Sequence, residues 1–143
     1  MELTLTRYKH TADYTLSRMT YQNLLSLDIV EPPIEGLNQQ PFSTLLKGIY
    51  KLYLKPRSQE LSVVPRFQKA PNKPFFFILP TEVEFDINKA KFDGSDDYHP
   101  LFCFWAGKIN GTNFAPAPNM YERLITLMCL ALKRKEIVTV NIK

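Results

Sequence analysis

His99-Pro100-Leu101-Phe102-Cys103-Phe104-Trp105-Ala106-Gly107 is the stretch on which the fold turns. It is a short apolar, aromatic run between a proline and a glycine, the pattern of a buried strand. It carries one of the two histidines, one of the two cysteines and the single tryptophan. Such a strand either delivers a thiol nucleophile to a cleft or fills a core. Aromatic neighbours on both sides of Cys103 favour core, because apolar burial disfavours the thiolate. His99 is the one imidazole nearby in sequence. Four residues away on an extended chain it stands roughly 13 Å along the strand, on the same face as Cys103. That exceeds the reach of a general base unless Pro100 turns the chain back.

Downstream, Asn110-Gly111 is a strong hairpin signal, since that pair suits turns needing positive φ. Pro116-Ala117-Pro118 then leads into a helix, with Asn119 as cap and Glu122 three residues on as in a capping box. Met120, Leu124, Leu127, Met128 and Ala131 recur at helical spacing, and Tyr121, Ile125 and Leu132 widen the stripe. Lys133-Arg134-Lys135 complements the dipole at the end of this helix. Glu136 to Lys143 alternates as a last strand, with Val138, Val140 and Ile142 on one face.

Upstream, Lys89 to Tyr98, centred on Asp93-Gly94-Ser95-Asp96-Asp97, reads as an exposed loop; its carboxylates lack the spacing and terminal Glu of a calcium loop. Val83, Phe85 and Ile87 alternate as a strand, and Phe75 to Leu79 is apolar enough for a central one. Leu61 to Val64, among prolines 65, 71 and 74, suits an edge. Gly48 to Lys55 alternates most cleanly, and Glu35 to Leu45 is a polar loop. The first thirty residues form a three-stranded meander: Glu2 to Tyr8, Tyr14 to Tyr21 and Leu24 to Val30, with turns at His10 to Asp13 and at Gln22-Asn23.

These elements predict an α+β, mostly β fold, a mixed sheet or partly closed barrel with one C-terminal helix. At 143 residues the chain suits one domain, residues 1–143. With 45% apolar and 22% charged residues it is not disordered. Eleven prolines against five glycines imply stiff connections and sheet edges. Met1 to His10 has no secretory apolar region, and no run is long enough to span a bilayer. The expected location is therefore a cytoplasm, with any site outside it reached by lysis or inside an assembly. The net charge of +4 is scattered, without the basic stripe of a nucleic-acid binder. Cys103 and Cys129 fit neither a disulfide framework nor a metal spacing, and both are expected to be shielded in apolar surroundings. No cofactor or metal site is expected.

Leu3-Thr-Leu-Thr-Arg7 followed by His10-Thr-Ala-Asp-Tyr-Thr-Leu16 resembles the opening of a small phage and Bacteroidota family of unknown function. Lys47-Gly-Ile-Tyr-Lys-Leu-Tyr-Leu54 is similar to that family's P-x-G-x-Y-x-V-x-L strand, and Pro65-Arg66-Phe67 to its S-P-R-F. Tyr121-Glu-Arg-Leu124 through Leu132 to Val140 resembles its closing helix and strand. The family's middle carries histidine and cysteine motifs similar to those of L,D-transpeptidases, in which an acylated cysteine and a histidine base act on peptidoglycan stem peptides. The resemblance implies an outline like those folds, with Cys103 and Gly107 matching the C-x-x-x-G spacing. The chain departs elsewhere: Phe102 replaces the glycine before the cysteine, and Val83-Glu84-Phe85-Asp86 has no histidine where the motif needs one.

The expected function is thus non-catalytic: a phage-derived structural or interaction domain on a degenerate cell-wall-enzyme scaffold, bound to a protein partner or to its own copies. The resemblance also implies production in a host cytoplasm and a place in a virion. The alternative is a divergent cysteine enzyme of peptidoglycan, with Cys103 as nucleophile and His99 as base. Glu84 and Asp86 share a strand face but read as solvated. Alternate aromatics must point outward on any strand. With Tyr8, Tyr14, Tyr21, Tyr50 and Tyr53 they are the material for a protein-contact face.

Overall fold

The computed structural model describes residues 1–33, 47–56, 63–68, 75–90 and 103–143. The meander is present as β1 (Glu2–His10), β2 (Thr15–Tyr21) and β3 (Leu25–Glu31), paired antiparallel in chain order. Alternation puts Leu3, Leu5, Met19, Leu27 and Ile29 on one buried face. Gln22 takes the left-handed conformation in the β2–β3 turn, with φ at 49°.

The expected strand from Gly48 to Lys55 is interrupted. It breaks at Leu52 into β4 (Gly48–Lys51) and β5 (Tyr53–Pro56). β4 pairs with β11 (Thr139–Ile142), whereas β5 pairs with β6 (Val63–Gln68). Leu52 itself is buried, and its N–H donates to the Val138 carbonyl at 2.8 Å. With β7 (Phe75–Pro80) and β9 (Cys103–Asn110), the strand order is β4-β11-β1-β2-β3-β9-β7-β6-β5. The two ends of this order, β4 and β5, are consecutive in the chain and linked by Leu52, so the sheet curls into a nearly closed barrel. It is mixed: β1 and β11 run parallel, as do β7 and β9.

β6 is not the edge strand expected around Leu61 to Val64, because it lies between β5 and β7. Pro65 is accommodated because the β6–β7 ladder starts at Arg66, one residue beyond the missing N–H. Phe76 and Ile78 of β7 and Phe104 and Ala106 of β9 point into the barrel and share one core with the meander's buried leucines.

The helix, α1 (Pro118–Lys133), closes that core with Tyr121, Leu124, Met128 and Ala131. Its start differs from expectation. Ala117 is the N-cap, Pro118 opens the first turn, and no side chain caps it. Proline's fixed φ suits the first helical position and moves the start ahead of Asn119. The buried stripe is also narrower: Leu127 is half-buried, while Leu132 and Cys129 are exposed. Cys129 therefore lacks the apolar shielding expected of it, because it lies outside the buried stripe.

A small flap covers part of the outer face. Gly111, with φ at 64°, turns β9 into β10 (Asn113–Ala115), which also pairs with β8 (Phe85–Asp86). The expected strand from Val83 to Ile87 shrinks to these two residues; Ile87 is buried but Val83 is 74% exposed. Phe114 and Ile87 press on Tyr14, Leu16 and Val30 to make a second core outside the barrel. The loop expected at Glu35 to Leu45 lies outside the described residues, as does the one expected at Lys89 to Tyr98 from residue 91 on; of its described start, Lys89 is exposed but Ala90 is buried.

Candidate functional site

Cys103 opens β9 opposite Phe77 and is 5% exposed. Phe104 and Ala106 enter the barrel core, so Cys103, Trp105 and Gly107 alternate onto the outer face. Trp105 packs there against the second core. His99 and Phe102 lie outside the described residues. Gly107, the glycine of the C-x-x-x-G spacing, has a packing role. A Cβ there would run into the Ala115 carbonyl and lie 2.7 Å from the Phe114 ring. Glycine at this point lets the flap lie flat on β9.

The carboxylates singled out in the sequence do not converge. Glu84 is exposed, and Asp86 uses Oδ1 to accept from the Asn88 N–H at 2.9 Å. Two others carry the polar architecture. Glu31 faces the barrel interior, where it accepts from Arg7 at 2.6 Å and from the Ser17 hydroxyl at 3.0 Å. Burial pushes the Glu31 carboxyl above its usual range, opposed by the Arg7 charge and by these hydrogen bonds. Tyr50 is shifted upward by burial as well, and the Arg7 charge again opposes the shift.

The second carboxylate serves the outer face. Arg18 and Asp28 sit side by side across β2 and β3, with Arg18 Nε donating to Asp28 Oδ1 at 3.3 Å. Asp28 is nearly buried and is held from behind by the Ile109 N–H, 2.9 Å from Oδ2. On the other side, the Arg18 guanidinium lies 5.8 Å from the centroid of the Tyr8 ring, within cation–π range. Thr6, Tyr8, Arg18 and Thr20 together line a shallow cleft of about 280 Å³. Tyr8 is 48% exposed. Its phenol is pushed up, first by burial and then by the Asp28 charge, with Arg18 opposing. This cleft is the candidate site: hydroxyl groups, an aromatic wall and one anchored guanidinium on the outside of a fixed sheet.

The sequence put Tyr8 among the outward-facing aromatics but did not pair Arg18 with Asp28. The missing signal is register. A turn centred on Asn23 pairs Tyr21 with Leu25, and stepping outward by three brings Arg18 opposite Asp28. The other tyrosines divide: Tyr53 is exposed, Tyr21 and Tyr50 are half-buried, and Tyr14 belongs to the second core. Among the described residues no group of three His, Cys, Asp or Glu is placed to hold a metal ion, and no helix is long and apolar enough to cross a membrane. No known protein family, curated protein or solved structure matches the chain.

Proposed function

We propose that this chain is a non-catalytic interaction module, a phage-derived structural or assembly component that binds a protein partner or its own copies through the outer face of β1 and β2. One observation carries it: Tyr8 and Arg18, two residue types that protein interfaces concentrate, wall a cleft on strands whose opposite face is locked in the core. The phage origin and the degenerate cell-wall-enzyme scaffold rest on the sequence resemblance alone.

Two measurements test this function together. A photo-crosslinking residue at position 8 should give a discrete crosslinked species in the native context, and the same residue at the exposed Lys89 should not. Iodoacetamide should label Cys129 in the folded protein and leave Cys103 unlabelled until it unfolds, because their exposures differ so strongly. A strict monomer by light scattering with no crosslink at position 8 would sink the interaction reading. Rapid labelling of Cys103, with peptidoglycan cleavage or exchange lost in Cys103→Ser, would put the cysteine-enzyme alternative in its place.

A further inference from the structure

We infer that the Arg18 cleft recognises a single carboxylate, carried by an acidic side chain of the partner. The inference rests on the interaction reading above and names its chemistry. The guanidinium uses only Nε toward Asp28. Among the described residues, neither of its terminal nitrogens has a hydrogen-bond partner, and the side chain remains 55% exposed. A guanidinium fixed along one edge presents its other N–H groups as a fork, the geometry that meets a carboxylate with two parallel bonds.

Ordering is already in place. Asp28 cannot drift, because the Ile109 N–H holds its second oxygen, and the Tyr8 ring limits the guanidinium from the far side. A long side chain that is fixed before binding loses less entropy when the ligand arrives. The hydroxyls of Thr6 and Thr20 stand in the same cleft and can donate to an anion or to its backbone. Charge narrows the class of anion. Asp28 stands beside Arg18 and repels any incoming anion, a dianion such as phosphate more strongly than a monoanion. A carboxylate, with a single charge and a planar two-oxygen shape that matches the guanidinium fork, is the class this arrangement favours.

The test uses the full chain, isotopically labelled for NMR, and three probes, each N-acetylated and C-terminally amidated: a hexaglutamate peptide, its hexaglutamine counterpart and a phosphoserine peptide. The glutamate peptide should shift the amides of Thr6, Tyr8, Arg18 and Thr20 saturably, and added salt should weaken it. Arg18→Gln should abolish those shifts, and Arg18→Lys should weaken binding about tenfold, since lysine keeps the charge and loses the fork. Lys89→Gln, at an exposed position away from the cleft, should change nothing. Equal shifts from hexaglutamine, tighter binding of the phosphopeptide, full binding by Arg18→Lys or no saturable shift would each overturn the inference. The interaction reading is scored separately. Crosslinks from position 8 that persist in Arg18→Gln would leave that reading standing and remove the carboxylate.

Discussion

A carboxylate taken out of water needs compensation, and Glu31 obtains it from Arg7 and Ser17. Both charged side chains of this pair are almost wholly buried, at 2% and 3% exposure. Removing one partner from such a pair is costly because the other is left uncompensated. Arg7→Ala should therefore lower stability by about 3–5 kcal/mol in urea melts. Replacing both residues by apolar ones of similar volume should cost far less. The pH dependence follows from the direction of the Glu31 shift. Its folded-state value lies above the ordinary one, so the folded state holds that proton more tightly than the unfolded chain. This contribution to stability is complete below the ordinary carboxylate value and is lost as pH rises through the raised value. Glu31→Gln should flatten that part of the profile; an unchanged profile would show that Glu31 does not titrate there. Neither this pair nor Arg18 with Asp28 was legible in the sequence. Each partner looks like an ordinary strand charge until the register of two strands sets it opposite the other.

Elements were easier to read than their partners. The meander, the helix and the final strand follow from periodicity, because each buries one face. The central Phe75 strand follows from its continuous apolar run and the Asn110-Gly111 hairpin from its turn residues. Periodicity says nothing about which strand lies alongside. That is why Gly48 to Lys55 looks continuous although its halves pair with β11 and β6. It also cannot weigh one apolar position against another within a wide helical stripe. Leu124 is fully buried in the barrel core, whereas Leu127 only packs at its margin. Leu124→Ala should then cost about 2–5 kcal/mol, and Leu127→Ala distinctly less. Equal losses in denaturant melts would mean that the helix is rotated from the orientation described. The candidate cleft was half legible: Tyr8 was marked for an outward contact face, but nothing in composition marked Arg18 as anchored.

For the molecule as a whole, stability depends on closing the ring of strands. β11 fills the place between β1 and β4, and the Met1 ammonium donates to the Ile137 carbonyl at 3.1 Å beside it. Without β11 the sheet would end in two unsatisfied backbone edges, and Val140 and Ile142 would leave the core. A chain shortened to residues 1–136 should therefore self-associate on size-exclusion chromatography and melt well below the full chain. A monodisperse, equally stable product would show that the barrel does not depend on this closure. The sequence predicted a partly closed barrel, yet nothing in it marked Leu52 as the hinge joining the two ends of the strand order. A buried leucine between two alternating tetrapeptides looks like any other core residue.

The parallel pairing of β1 with β11 has a consequence in the order of synthesis. The residues paired between these strands, such as Glu2 with Thr139, lie 137 positions apart. A ribosome makes the first strand and the whole meander long before it makes the neighbour that β1 requires. During that interval the nascent chain carries an open ribbon, apolar on one side and unpaired along one edge, the kind of surface that calls for a chaperone. Two nascent chains held side by side on one message are also at risk of exchange, for a finished β11 fits the waiting edge of either.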